Sequence, residues 1–427
     1  MAGPPHRPRP AQPEGDVARP TVAREPQVSE PRDARRRRPH APPQQQQVRF
    51  PGLDGLRGVA ALVVVVFHAL LLSPVLDDVD AGAGPQQPSW WITHTPLSLL
   101  WSGPQAVFVF FVLSGFVLLL PVATGRGIRW RSYFPQRLLR LYVPVWGSIV
   151  LALAFAALVP RTPQPGLSGW YNAHAPVQDW QTTLQDAVLV LGTDWLNSPL
   201  WSLRYEVLFS LLLPLYVLGA VLLRGLWAPK LVALLVVVGV AEALGMDRLT
   251  YLTMFALGAV LALEHERVVD LARRVARVAG HRLGWAPGVL VAVVAVLLLT
   301  VEASLFLVGD GVEVLRDELR GVALSLQLLG ACLAVLLAAH WAPAVRWLSG
   351  RRVQWVALRS FSLYLVHEPV VVSSAALWPG APVAVHVVVG LVGGLVLSDL
   401  FFRAVEHPAH LLSRRVGRAA GRVGVRG

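Results

Sequence analysis

The run "LDGLRGVAALVVVVFHALLL", residues 53–72, is almost wholly aliphatic and sets one ionisable ring, His68, among its valines and leucines. Histidine titrates near working pH, at about 6.5 unperturbed, which suits it to take a proton from a reacting hydroxyl as a general base. Such a base works best beside a carboxylate that fixes its tautomer and stabilises the imidazolium. Two apolar stretches offer one: Glu206 in "NSPLWSLRYEVLFS" and Glu368, next to His367, in "FSLYLVHEPVV". Of the two, Glu206 is the preferred partner by depth. A second chemistry is phosphate binding, for which the guanidinium fork is suited. "GRGIRWRSYFPQRLLRLY" carries Arg126, Arg129, Arg131, Arg137 and Arg140. Of these, Arg137 and Arg140 share one helix face at i and i+3.

These groups need elements to hold them, and composition says what kind. The 427-residue chain is 54% hydrophobic, has a mean hydropathy of +0.53, and is 15% charged, against about 25% in soluble domains. Ten apolar windows match a membrane crossing of about 20 residues: 58–76, 104–122, 142–160, 200–223, 229–245, 249–263, 287–308, 320–339, 355–378 and 382–402. The expected fold class is an all-α, polytopic membrane protein of about ten transmembrane helices. Helical rise then gives depths. His68 stands about 17 Å above Arg57, Glu206 about 10 Å below Pro199, His367 and Glu368 about 18–20 Å above Trp355, and Ser114 with Gly115 about 15 Å below the outer end of its span. Polar groups from four spans thus reach one layer, and a shared internal cavity costs less than four lipid-facing sites.

Loop charge orients the spans. Fifteen Lys and Arg follow the even-numbered spans and four the odd-numbered ones, which places the even loops and both termini in the cytoplasm. Much of the net charge of +12 is therefore topological, and no nucleic-acid partner is expected. Residues 1–47, rich in Pro, Gln and charge with "RRRR" at 35–38, are expected to be a disordered cytoplasmic tail. Residues 48–409 form the membrane domain, with the first span as signal anchor, and 410–427 a basic cytoplasmic tail. The single cysteine, Cys332, excludes a disulfide framework or a cysteine zinc cluster, and no metal site is expected.

The strings "LDGLRGVAALVVVVFH", "FVFFVLSGF", "YFPQRLLRLYVP", "SPLWSLRYEVLF", "YLTMFALGAVLA", "SFSLYLVHEPV" and "FRAVEHP" occur in that order. Together they resemble the membrane acyltransferase type 3 family over residues 49 to about 409. The resemblance implies transfer of an acyl group, usually from cytoplasmic acyl-CoA such as acetyl-CoA, to a hydroxyl of a carbohydrate, glycolipid or macrolide-like acceptor. It implies His68 as the catalytic group, Arg137 and Arg140 as donor-binding residues, no permanently bound cofactor, and residence in the bacterial plasma membrane. The sequence departs from the family pattern at Phe361, Arg359 and Ser210, positions that bear on packing and acceptor shape.

The remaining candidates divide between bland and functional roles. Asp54 reads as an N-cap paired with Arg57, and Arg57 alternatively as a donor-binding residue. Ser114 and Gly115 are either small residues for helix packing or a place where the donor arm nears the backbone. Trp201, Tyr364, His367 and Glu368 are the substrate-binding candidates, with His367 also readable as structural. His94, His174 and His265 fall in loops and carry no assignment. The aromatic 161–199 segment suits either an interfacial belt or sugar stacking, and "WQTTLQDAVLVLG" a surface amphipathic helix. A proton-coupled transporter or an exporter of a lipid-linked sugar would also place His and Glu at the midplane.

Overall fold

A computed structural model describes residue 3 and residues 50–74, 86, 88–174, 179–222, 225–278, 286–305 and 312–423. The expected 1–47 tail, Gly3 apart, lies outside the described residues, and the helices belong to one unit, Phe50–Gly427. They include α1 (Pro51–Leu70), α2 (Gly103–Ala123), α3 (Trp130–Leu158), α4 (Gly169–Ala173), α5 (Trp180–Val188), α6 (Leu200–Leu222) and α7 (Trp227–Ala243). The chain continues with α8 (Asp247–Val278), α9 (Ala286–Leu299), α10 (Val312–His340), α11 (Ala342–Leu348), α12 (Arg351–Leu377), α13 (Val383–Phe401) and α14 (His407–Val423). No strand occurs among the described residues, so the all-α class holds.

Each of the ten apolar windows falls on a helix. Seven helical stretches among the described residues are long and apolar enough to cross a membrane: α1, α2, α3, α6, Leu319–His340 within α10, α12, and Val383–Arg422. The other three windows fall on α7 with 17 residues, on α8, whose second half carries Glu264, Glu266, Arg267 and Asp270, and on α9 with 14. On α13, Val388, Val392, Val396 and Leu400 are each 58–59% exposed at a spacing of four residues. That outward apolar stripe belongs against hydrocarbon, and the chain is a multi-pass membrane protein.

Helix α1 starts at Pro51 with Phe50 as its N-cap, so Asp54 lies within the first turn instead of capping it, and the helix ends at Leu70. A hydropathy window discounts Asp54 and Arg57, whereas Pro at the first helical position is pre-set for the turn. His68 therefore stands in the last turn of α1 rather than at mid-span. At the other end, residues 410–423 of the basic C-terminal segment form most of α14. There Gly417 lets α14 rest on α3, since a Cβ at that position would lie 3.1 Å from the Gln136 side chain.

Glycines let the central helices meet backbone to backbone. A Cβ on Gly52 would come within 1.9 Å of the Ala338 carbonyl oxygen, on Gly55 within 2.2 Å of that of Leu348, and on Gly58 within 2.8 Å of the Ala357 nitrogen. The three form one stripe that seats α1 against α10, α11 and α12. The α2–α8 crossing is reciprocal: Gly115 faces the Phe255 carbonyl and Gly258 that of Val112. Close crossings of this kind rely on small residues. Around them Phe111, Phe116, Phe209, Met254 and Phe255 fill one core, while Val64, Val145, Val207, Leu365 and Val366 fill a second one beside α1.

Candidate active site

Helix α12 is buried along much of its length, and its His367–Glu368 pair meets the last turn of α1. His68 Nε2 lies 3.7 Å from Glu368 Oε2, and His367 Nε2 lies 3.0 Å from His68 Nδ1. Two further elements close on the carboxylate. The segment entering α6 donates the Ser198 N–H to Oε1 and the Ser198 hydroxyl to Oε2, both at 2.5 Å. From α4's C-cap, His174 Nε2 sits 3.0 Å from Oε1. The α4 turn is held down by the Ser168 N–H, which donates to the Leu72 carbonyl at 3.2 Å, so Trp170 covers His68 with ring centroids 5.4 Å apart.

The hydrogen bonds fix the ring states. Carbonyl oxygens only accept, so His367 Nδ1, 3.0 Å from the Leu363 carbonyl, carries its proton, and the neutral ring's Nε2 is an acceptor. His68 Nδ1 must then be the donor, shared between His367 Nε2 and the Val64 carbonyl at 3.0 Å each. In neutral His68 the Nε2 lone pair is left open, and it faces Glu368. His174 Nδ1 donates to the Trp170 carbonyl at 2.8 Å, so a hydrogen bond from its Nε2 side to Glu368 requires a further proton on one partner. This arrangement can accept one proton at His68 Nε2 and stabilise the imidazolium with a carboxylate already oriented by the two Ser198 donors.

One more charged group stands in the segment between α3 and α4. Arg161 is 4% exposed, and its Nε, Nη1 and Nη2 have no hydrogen-bond partner among the described residues. Burial pushes its guanidinium below the ordinary value, against the opposing pull of the Glu368 and Tyr171 charges. Burial likewise pushes the Tyr171 phenol up, with Arg161 opposing.

A second polar cluster lies toward the Pro51 end of α1. Arg137 of α3 pairs with Glu206 of α6, and the Ser114 hydroxyl of α2 donates to the same carboxylate at 2.7 Å. Arg137 Nε also donates to the Ser210 hydroxyl at 3.0 Å, and the Tyr133 hydroxyl to the Ser210 carbonyl at 3.2 Å. Arg57 and Arg140 lie within electrostatic reach of Arg137 and of each other. Neither makes a hydrogen bond or ion pair among the described residues, so two guanidinium groups are uncommitted. Glu406, in the π-turn Phe402–Glu406, is held by the Ser362 hydroxyl and N–H at 2.5 and 3.1 Å.

The structure thus splits the sequence-predicted set into two groups. His68, His367 and Glu368 meet; Arg57, Arg137, Arg140, Ser114 and Glu206 gather elsewhere. The carboxylate beside His68 is Glu368, not Glu206. The arithmetic of depth placed Glu206 level with the imidazole, but its lateral partner is Arg137. Tyr364 borders the first group, with its ring 6.0 Å from His367 and its hydroxyl 2.7 Å from Ser202 Oγ. Trp201 does not border it: its ring packs on Phe111, Tyr205 and Tyr251. Gly115 serves helix packing, while Ser114 holds Glu206. Sequence reasoning gave His174 and Ser198 no role and read Trp170 only as part of an aromatic belt or sugar-stacking segment; the signal available for His174 was a tryptophan four residues before it in the segment between α3 and α5.

The profile of the acyltransferase domain family, type 3, matches residues 50–403. The chain is 31% identical over 188 residues to "Acyltransferase MdmB" of Streptomyces mycarofaciens, a match covering 42% of this chain and 43% of that protein. Over 399 residues it is 24% identical to "Putative peptidoglycan O-acetyltransferase YrhL" of Bacillus subtilis (strain 168), covering 84% of this chain and 54% of that protein. The chain spans about half the length of the curated relatives it matches. No solved structure gives a match.

Proposed function

The chain belongs to the acyltransferase type 3 family, and from that premise we propose that it is a membrane O-acyltransferase using acyl-CoA as donor and a hydroxyl of a carbohydrate, glycolipid or small molecule as acceptor. The relatives' names, one of them an O-acetyltransferase of peptidoglycan, support an acetyl group and a sugar hydroxyl. In this reading all ten apolar windows cross the bacterial plasma membrane, with the Arg-rich helix ends and both termini cytoplasmic.

His68 acts as the base. Its Nε2 lone pair takes the acceptor's hydroxyl proton as the oxygen bonds to the thioester carbonyl carbon. The tetrahedral adduct then breaks its C–S bond, the new ester stays on the acceptor, and the leaving sulfur recovers the proton from the imidazolium. Glu368 stabilises that imidazolium and His367 holds the Nδ1–H tautomer. The uncommitted Arg57 and Arg140, with Arg137, suit the donor's phosphates. Arg57 and His68 are eleven residues apart, about 17 Å along α1 and within about 20° of the same face.

The observation that supports the reading is the placement of His68, with Nδ1 engaged by the Val64 carbonyl and His367 and Nε2 3.7 Å from Glu368 Oε2. Membranes containing the protein, given labelled acetyl-CoA and an envelope fraction, should form labelled ester, and His68→Ala should lower the rate at least about 10²-fold while inserting normally. An undiminished rate in that variant overturns the role of His68; absence of labelled ester from every fraction overturns the enzyme reading, and pH-gradient-driven flux without acetyl-CoA consumption would replace it with a transporter.

A further inference from the structure

A cavity of about 430 Å³ opens at the Pro51 end of the molecule, lined by Phe50, His265, Glu266, Val269, Asp270 and His340. It lies between the N-cap of α1, the second half of α8 and the end of α10, apart from both polar clusters described above. Its walls are aromatic. The His265 and His340 rings are stacked, 6.0 Å between centroids and 7° from parallel. Phe50 stands edge-on to both, at 6.4 and 5.9 Å, and is backed by Phe116 at 6.0 Å. His265 is anchored through Nδ1 to the Ala262 carbonyl at 2.7 Å.

The polar lining is acidic. Among the described residues, Glu266 makes no hydrogen bond or ion pair and neither Lys nor Arg lines the space. Phosphate is therefore a poor occupant. Flat rings beside a free carboxylate suit a heteroaromatic base that stacks on one wall and donates an exocyclic amine to the other. The volume lies within the range of about 300–1,000 Å³ typical of small-molecule sites.

The position along α1 narrows the choice. Phe50 is the extended N-cap of α1, seven residues before Arg57, which stands eleven residues before His68 and within about 20° of its face, so the three follow one another along α1 at steps of about 10 and 17 Å. Base pocket, guanidinium group and imidazole are thus ordered as base, phosphates and thioester are ordered in a CoA thioester. We propose that this cavity is the adenine subsite of the donor, with Phe50, His265 and His340 packing against the purine and the Glu266 carboxylate accepting from its exocyclic amine. The inference rests on the donor reading above and extends it to a part of the molecule that takes no part in the chemistry.

Binding to the full-length protein in nanodiscs tests it, with two probes: acetyl-CoA, and S-acetyl-4′-phosphopantetheine, which lacks the nucleoside. Phe50→Ala should weaken acetyl-CoA at least about tenfold, and the milder Glu266→Gln about three- to fivefold, each leaving the truncated probe within about twofold of wild type. A third probe, acetyl-1,N6-etheno-CoA, blocks the exocyclic amine and should bind wild type and Glu266→Gln alike. If the variants leave acetyl-CoA unaffected or weaken both thioesters equally, the subsite is overturned while the donor reading stands. If wild type binds neither thioester, the donor reading itself falls and the subsite with it.

Discussion

In the proposed mechanism, proton transfer turns on which carboxylate faces the imidazole, and the 3.7 Å approach of Glu368 to His68 Nε2 singles out Glu368. Glu368→Gln keeps the shape and an acceptor oxygen but cannot stabilise an imidazolium, so kcat should fall on the order of 10²-fold or more with little change in acceptor KM. Glu206→Gln, acting on Arg137, should instead show its larger effect on donor KM. Steady-state kinetics with labelled acetyl-CoA separate the two, and a larger kcat loss in Glu206→Gln than in Glu368→Gln would reverse the assignment. Much at this scale was legible beforehand. An ionisable ring within "VVVVFHALLL" is expensive unless partnered, which marked His68, and adjacency marked His367 with Glu368. What stayed hidden was lateral placement: periodicity gives height along a helix but not which helix stands opposite. His174 and Ser198 were invisible for the same reason, being short-range neighbours of Glu368 only after long-range folding.

Among the elements, α5 joins a surface helix to a buried acid. It lies along α3 through the Tyr142 hydroxyl and Trp146 Nε1, which donate to the Val188 and Ala187 carbonyls at 2.7 and 2.9 Å. Trp180, Leu184 and Val188 remain outward, in keeping with the surface amphipathic helix expected from "WQTTLQDAVLVLG". Its Asp186 is fully buried; Oδ1 accepts the Asp194 N–H at 2.7 Å and Oδ2 has no partner among the described residues. Burial pushes this carboxyl up to about 7 from 3.8, with the Asp194 N–H opposing. The folded protein therefore keeps a proton that the unfolded chain releases between about pH 4 and 7, so stability falls as pH rises through that window and levels off above it. Asp186→Asn removes the titration and should exceed wild type by up to about 4 kcal/mol at pH 8, the gain vanishing near pH 4. Thermal unfolding in detergent at the two pH values checks this; a gain independent of pH would contradict it. Seven of the apolar windows coincide with helices long and apolar enough to cross a membrane, whereas the start of α1 was less legible, because Asp54 and Arg57 in its first turns depress the very average by which a span is recognised.

For the whole molecule, the charge asymmetry of the loops makes a sidedness prediction. Cys332 is buried in α10, so background labelling by a membrane-impermeant maleimide should be low. In intact cells the reagent should label Gly380→Cys, between α12 and α13, and spare Arg126→Cys, between α2 and α3, until the membrane is broken; the opposite pattern would invert the topology. The family match explains why seven short strings in register carried more than any of them alone, since each is a separate helix-packing or polar position of one fold. The glycine stripe on α1 has a further consequence. A helix seated backbone to backbone against three neighbours cannot slide, so the spacing between Arg57 and His68 works as a fixed gauge. Any carrier gripped at the guanidinium end is measured by that gauge, and one with too short a tether would leave its carbonyl stranded beneath the base.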